Sequence, residues 1–361
     1  MIPLDYDDFL NSYAQLGLDR SPTILLETSR GCPWGKCKFC GLNENMKKYA
    51  VKSPEVAIDE ITEAIKQYDI DIGMVDNVMP RSYVRTVLPH LKLPKNRSIL
   101  YEVRADLTDD EVKTLREANV RYVQPGIESV STPIQKRMNK GITGLDTINF
   151  LRLCSEHIIV PYWNIIIGIP GMSGEMYQDL IEKIPLLIHF IHPVTLTPVR
   201  FDRFSVYWRE ASQYGLNLVP ASIYSYIYPY DQDFLSNIAY YFDDSNYSTI
   251  ELMITFHGKL TKLIDQWKAR WYAKEIRPED LPRLYRFYND GHAFIYDTRQ
   301  QDKREHQLAS LEDKILTTLK HPMNIDGSQK TIPDTDTDVN DQLINLETAI
   351  SNLKNKQSLT Y

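Results

Sequence analysis

Short apolar runs alternate with longer amphipathic stretches from about residue 23 to residue 200. The runs Thr23–Glu27, Ile72–Val75, Ser98–Arg104, Tyr122–Ile127, Trp163–Ile169 and Val194–Val199 predict strands, and the stretches between them show helical apolar spacing. Ser53-Pro54-Glu55 predicts a helix start, with Ser53 as N-cap and Pro54 in the first turn. Val56, Ile58, Ile61 and Ile65 supply its apolar positions. Thr108-Asp109-Asp110-Glu111 reads as a capping box, opening a helix that ends near Asn119 ahead of the strand at Tyr122. Strand and helix repeating in this order predict an α/β fold with a parallel sheet closed or partly closed into a barrel. In such barrels chemistry gathers at the carboxyl ends of the strands.

Past Arg200 the pattern changes. Residues 200–275 are aromatic and partly helical, which predicts a cap or wall over the barrel. Alternating residues on both sides of Asn289-Asp290-Gly291 predict a hairpin over Arg283–Asp297. Leu308, Leu311, Ile315 and Leu319 then fall at helical spacing, residues 326–341 are polar and loop-like, and Leu343–Leu353 reads as a last short helix. The expected organisation is a lead-in at 1–20, a barrel at 21–200, an aromatic helical cap at 201–280 and a small C-terminal unit at 281–361. A hairpin followed by small helices has a winged-helix-like outline. An ordinary stabilising subdomain has the same outline, so this pattern alone assigns no role.

Composition narrows the function classes. The 361 residues are 43% hydrophobic, enough for a sizeable core, and the net charge is −7 without a strong basic block. That balance argues against a nucleic-acid footprint, which needs clustered Lys and Arg. Met1–Phe9 is acidic and lacks the basic and apolar regions of a signal peptide, and no run reaches membrane-spanning length. The expectation is a cytoplasmic protein with neither nucleic-acid nor membrane partners. Tyrosine is common, at 23, and much of it falls between Tyr207 and Tyr272; aromatic walls can line a pocket or simply fill a core.

The cysteines change the picture most. The chain has four, and Cys32, Cys37 and Cys40 crowd one loop just after the apolar run Ile24-Leu25-Leu26. Thiolates suit iron–sulfur clusters and zinc. Three thiolates leave one metal position open for a small molecule, whereas structural zinc takes four ligands. Cys154, the remaining thiol, sits in the apolar helical run Phe150, Leu151, Leu153 and reads as a buried, inert residue. A disulfide does not fit an acidic chain without a signal peptide.

The loop and its neighbours resemble the radical S-adenosylmethionine (SAM) enzymes. The spacing here is C-x4-C-x2-C, one residue longer in the first gap than the usual C-x3-C-x2-C, and Phe39 precedes the last cysteine as the family's adenine-side aromatic tends to. The words ETSRGC, CGLN, VDN, YEVRADLT, QPGIES and NIIIGIPG look like the branch that matures ribosomally made peptides. The resemblance implies a partial (β/α)6 barrel, a [4Fe-4S] cluster on Cys32, Cys37 and Cys40, and SAM chelated at its open iron. It implies further SAM contacts from Phe39, from Asp76 and Asn77, from Gly126, Glu128 and Ser129, and from the strand carrying Asn164, Ile167 and Gly168. Glu102 and Arg104 alternate on one face of the third strand. They are site candidates if they face the mouth, and otherwise pair with each other or with neighbours. Arg200 could clamp a carboxylate.

The chemistry so implied is reductive cleavage of a SAM carbon–sulfur bond, with an electron donor such as flavodoxin or ferredoxin as partner. Many relatives of that branch carry an N-terminal cobalamin-binding domain. This chain opens at Asp5-Tyr6-Asp7-Asp8-Phe9, which resembles the segment just upstream of their barrel, and a stand-alone enzyme is expected. The expected substrate is a ribosomal peptide. One alternative is transfer of a methyl or 3-amino-3-carboxypropyl group to a small acceptor such as an arsenic compound. Another is a zinc-binding protein without turnover.

Overall fold

A computed structural model describes residues 5–17, 21–42, 49–246, 250–272, 281–300 and 303–318. Six of the parallel strands appear where the apolar runs predict them, and a seventh, the two-residue Val160–Pro161 ahead of the run at Trp163, is one the runs do not predict. β1 (Thr23–Leu26) leads into β2 (Ser29–Arg30), which pairs antiparallel with β3 (Ala50–Val51). β4 (Asp71–Met74), β5 (Ile99–Val103), β6 (Val120–Pro125) and β7 (Val160–Pro161) follow, and the parallel order is β1-β4-β5-β6-β7. β8 (Asn164–Ile167) and β9 (Thr195–Pro198) form a second parallel pair. A parallel bridge from Glu128 to Ile165 carries the curve from the first sheet to the second. The result is an α/β partial barrel. β6 begins two residues earlier than the sequence predicts, because the helix before it ends at Glu117 and Asn119 turns the chain through a positive φ of 58°.

The helices start for local reasons. Ser53 accepts a hydrogen bond from the Val56 N–H and Pro54 stands in the first turn of the helix Pro54–Tyr68. That helix buries Ala57, Ile61, Ala64 and Ile65 against the sheet, while Val56 and Ile58 are only half-buried. The Thr108–Glu111 capping box is formed in both directions. A second one, Thr143 with Asp146, opens the helix Gly144–Glu156. Each such cap satisfies otherwise orphaned backbone donors, a contribution of about 1 kcal/mol.

Beyond the barrel, β10 (Phe201–Asp202), β11 (Leu218–Pro220) and β12 (Tyr241–Asp244) make an antiparallel sheet in the order β10-β12-β11. The helix Ile250–Tyr272 then lies back on the barrel. Trp267 stacks edge-on against Trp163 at 5.8 Å and donates to the Phe190 carbonyl, and Trp271 donates to the Ile188 carbonyl. One hydrophobic core therefore runs from Ile24 to Trp267. β13 (Leu284–Asn289), β14 (His292–Asp297) and β15 (Arg304–Gln307) form a small antiparallel sheet. The predicted hairpin is there, with Asp290 and Gly291 both at positive φ as a two-residue turn requires. The expected helix begins at Ser310, because the chain around Leu308 first forms β15 and then a cap. Leu308 packs under the sheet with Ala293 and Ile295. The expected loop at 326–341 and the helix at Leu343–Leu353 lie outside the described residues. None of the described helices is long and apolar enough to cross a membrane.

Candidate active site at the carboxyl ends of the parallel strands

The cysteine loop leaves β1 at the carboxyl edge of the sheet, and its start is fastened by Asp76. That carboxylate is fully buried beyond the end of β4. It accepts from the Thr28 N–H and hydroxyl, both at 2.6 Å, and from the Ser29 hydroxyl at 2.7 Å. Asn77 accepts from the Gly31 N–H at 3.0 Å, directly before Cys32. The side chains of Asp76 and Asn77 thus hold the loop. They are also the residues from which the family resemblance implies SAM contacts.

The far side of the loop is clamped to the segment at residues 138–141, which carries no motif that would single it out from sequence. Lys38 N–H donates to the Met138 carbonyl at 2.9 Å, Trp34 Nε1 to the Asn139 carbonyl at 2.8 Å, and Asn139 Nδ2 to the Lys36 carbonyl at 3.0 Å. Gly141, at φ +71°, lies flat under the Trp34 ring: a Cβ there would stand 2.3 Å from the indole. The loop exit is as tight, since a Cβ on Gly41 would meet the Arg203 carbonyl at 2.2 Å. Cys32, Cys37 and Cys40 are left half-buried and unbridged on this braced loop.

Burial pushes the Cys37 thiol up to about 11, against the opposing pull of Lys140, with the other two loop cysteines acting on it in turn. Burial also raises the Cys40 thiol. Among the described residues no three His, Cys, Asp or Glu side chains converge on one ion position. A cubane cluster spreads its thiolates over separate irons, so three mutually interacting, half-buried thiols on one rigid loop fit such a group.

Acidic groups stand beside the loop. Glu128 follows β6 in the left-handed region, φ +53°, which a non-glycine residue adopts only under tertiary constraint. Its carboxylate pairs with Lys140 at 2.6 Å, and the Lys140 ammonium lies 5.6 Å from the Phe39 ring centroid. Gly126 makes room for this pair, since a Cβ there would sit 3.1 Å from Nζ. Burial works against the Lys140 charge, but Glu128 and the Cys37 thiol outweigh it and raise the ammonium. Glu102, on the less buried face of β5, is pushed up to about 7 by burial, then by the charges of Asp76 and Glu128.

The remaining candidates sit differently. Arg104 does not pair with Glu102: it forks onto Asp106 at 2.8–3.1 Å and covers the Trp34 ring at 5.3 Å. Ser129 is fully buried and its hydroxyl accepts from the Ser131 N–H. Asn164 is exposed and accepts from Thr195. Ile167 is buried in the core, and Gly168, at φ +72°, donates its N–H to Tyr177. Arg200 is exposed, paired with Asp202 at 2.7 Å and stacked 4.1 Å over Tyr241. The structure therefore gathers the cysteines, Phe39, Gly126, Glu128 and Glu102 at one mouth. It uses Asp76, Asn77 and Ser129 as internal braces.

A model of the Radical SAM superfamily matches residues 26–184, the stretch that holds the cysteine loop and most of the barrel. That stretch carries the match to a radical SAM catalytic domain. The match is to the superfamily as a whole, not to its peptide-maturing branch. The chain is 22% identical over 158 residues to an anaerobic magnesium-protoporphyrin IX monomethyl ester cyclase of Rubrivivax gelatinosus, covering 42% of this chain and 28% of that protein. It is 26% identical over 170 residues to an uncharacterized methyltransferase of Pyrococcus horikoshii, covering 45% and 37%. The chain thus spans well under half the length of these curated relatives. Similar solved structures include the radical SAM methyltransferase TsrM of Kitasatospora setae with cobalamin and a [4Fe-4S] cluster bound (TM-score 0.46, 17% identity, 56% of this chain and 43% of that one). Coproporphyrinogen III oxidase of Escherichia coli is another (TM-score 0.43, 12% identity, 86% and 77%).

Proposed function

We propose that the protein is a radical SAM enzyme that holds a [4Fe-4S] cluster on Cys32, Cys37 and Cys40 and modifies a small molecule, using SAM as co-reactant. The observation that carries this reading is the braced loop itself: three half-buried, unbridged thiols at the carboxyl mouth of a parallel partial barrel. When bound, the cluster supplies the electron that breaks a SAM carbon–sulfur bond. The chain's own residues do the rest. Asp76 and Asn77 hold the loop in register, so the thiols are presented without reorganisation. Phe39 offers an apolar ring beside the last cysteine. Glu102 is a carboxyl group at the mouth able to receive a cationic group or a proton near neutral pH.

The small-molecule reading takes precedence over the ribosomal peptide expected from sequence. The curated relative with a named reaction acts on a magnesium porphyrin ester, and another is named a methyltransferase. Transfer of a methyl or aminocarboxypropyl group to a small acceptor is compatible with those names. A one-electron donor such as flavodoxin or ferredoxin would be the redox partner.

The test is anaerobic reconstitution with iron and sulfide, reduction with dithionite, and analysis of SAM products. Bound iron and labile sulfide with 5′-deoxyadenosine or methylthioadenosine are expected, both lost when the three cysteines are replaced. The two products separate hydrogen abstraction from aminocarboxypropyl transfer. Bound zinc, no labile sulfide and intact SAM would overturn the proposal.

A further inference from the structure

Lys140 is a buried cation whose position the proposed function does not use. It follows Asn139, whose φ of +55° ends the helix Thr132–Met138, and its N–H returns to the Gln135 carbonyl at 3.1 Å. The backbone around it is the platform to which the cysteine loop is clamped through Trp34, Lys36 and Lys38. The ammonium therefore has little freedom relative to the thiols. Its side chain is 11% exposed and that of its partner Glu128 19%. Nζ lies over the face of Phe39, the residue between Lys38 and Cys40, and interacts electrostatically with both Cys37 and Cys40.

Burying a charged pair costs several kcal/mol per ion before the pair's own attraction offsets it. A lysine has three donors, and the carboxylate within ion-pair range of Nζ among the described residues is that of Glu128. The thiols of Cys37 and Cys40 are the other charges-in-waiting with which the ammonium interacts. A cation fixed there interacts most strongly with whatever negative charge the thiol loop carries, because the surroundings screen poorly.

We propose that Lys140 is a positioning residue that sets the reduction potential of the cluster on this loop, with Glu128 as its opposing charge. The inference rests on the cluster reading above. In the step concerned, one electron leaves an external one-electron donor and enters the [4Fe-4S] group. No bond breaks and no proton moves. The Lys140 charge lowers the electrostatic cost of the added negative charge, and the Glu128 carboxylate raises it. The pair thus brackets the potential from both sides.

The experiment is an EPR-monitored potentiometric titration of reconstituted wild type, K140M, K140R and E128Q, each without SAM. Omitting SAM removes any contribution from its binding. K140M is expected to lower the equilibrium constant for reduction about tenfold, 59 mV for one electron. K140R should stay near wild type, and E128Q should move in the opposite direction to K140M. A merely structural role gives no such opposition of sign. Midpoints of K140M and E128Q that coincide with wild type, or that shift the same way, overturn the inference. If K140M does not retain iron and sulfide, the comparison of E128Q with wild type decides alone: an upward shift supports the proposal and no shift or a downward one refutes it. Wild-type protein that binds no iron or sulfide would fail before the titration, and would defeat the cluster reading rather than the role of Lys140.

Discussion

Tyr101 and Asp76 are joined both directly and through one hydroxyl: the Tyr101 phenol donates to the Asp76 carboxylate at 3.2 Å and lies 2.7 Å from Thr28 Oγ1, and Thr28 Oγ1 donates to the same carboxylate at 2.6 Å. Thr28 has a single hydroxyl proton, given to Asp76, so the one phenol proton of Tyr101 is shared between Thr28 Oγ1 and the carboxylate. Burial, and then the Asp76 charge, hold the Tyr101 phenol far above its usual range, so it stays a donor at every physiological pH. The chain of bonds ties the segments that follow β1 and β4 to the middle of β5.

Asp76 receives donors only, and Asp76→Asn turns one of its oxygens into a donor facing donors. The expected cost is roughly 2–4 kcal/mol, the range for losing charge-assisted buried hydrogen bonds. Urea unfolding should show it as a lower midpoint. Iron retained after reconstitution should fall as well, because the loop start loses its anchor. Unchanged stability would mean that the network is not the anchor it appears from its distances.

Glu102 ties stability to pH. Its carboxyl titrates near 7 in the folded protein, through burial first and the facing charges of Asp76 and Glu128 second. Unfolded, it titrates near the ordinary glutamate value of about 4.3. Between these values the folded state binds more protons than the unfolded one, so the contribution is full below about 4.3 and is lost as pH rises through 7. Wild type should therefore lose stability relative to Glu102→Gln from about pH 4.3 to above pH 7. The difference is on the order of 1–3 kcal/mol after allowing for solvent screening of a partly exposed group. Parallel stability–pH curves for the two proteins would refute this.

The parallel strands other than β7 were legible because each is a short run rich in β-branched and aliphatic residues between helix signals, and because Ser53 and Thr108 mark helix starts with local chemistry; Val160–Pro161 is a strand only through its pairing with β6. The cysteine loop was legible for the same reason: its spacing is local. What escaped the sequence is set by tertiary contact. Lys140 lies in an ordinary Asn-Lys-Gly segment, and its setting depends on Phe39, a hundred residues away, and on Glu128. Arg104 pairs with Asp106 because a fork two residues on outcompetes Glu102 next door on the same face. Asp76 was legible as a carboxylate at a strand end, but whether it faces a ligand or a backbone depends on where Thr28 points. β15 carries Arg304, Glu305, His306 and Gln307, without apolar alternation, and pairing with β14 alone defines it.

The cysteines should separate cleanly by role. Cys154 is 1% exposed in the helix Gly144–Glu156, and burial pushes its thiol far above the usual range, which leaves it inert. Cys154→Ala should retain wild-type iron and sulfide and lose no more than about 1–2 kcal/mol for the vacated volume. Cys40→Ala should keep its fold and lose the iron and sulfide. Loss of iron in Cys154→Ala at normal stability would make it a fourth ligand.

Gly141 tests whether the clamp on the loop matters apart from the thiols. The residue takes φ +71°, a conformation costly for any residue with a side chain, and an added Cβ would stand 2.3 Å from the Trp34 ring. Gly141→Ala must therefore move the indole, and with it the hydrogen bond from Trp34 to Asn139. The expected result is a loss of about 1–3 kcal/mol in stability, together with slower and incomplete cluster uptake. Trp34→Phe offers the control: it removes the hydrogen bond and shrinks the ring without straining the backbone. It should impair uptake less than Gly141→Ala if the packing of the ring on the glycine positions the cysteines, and equally or more if the hydrogen bond does. Wild-type uptake in both variants would show that Asp76 and Asn77 alone suffice to present the thiols.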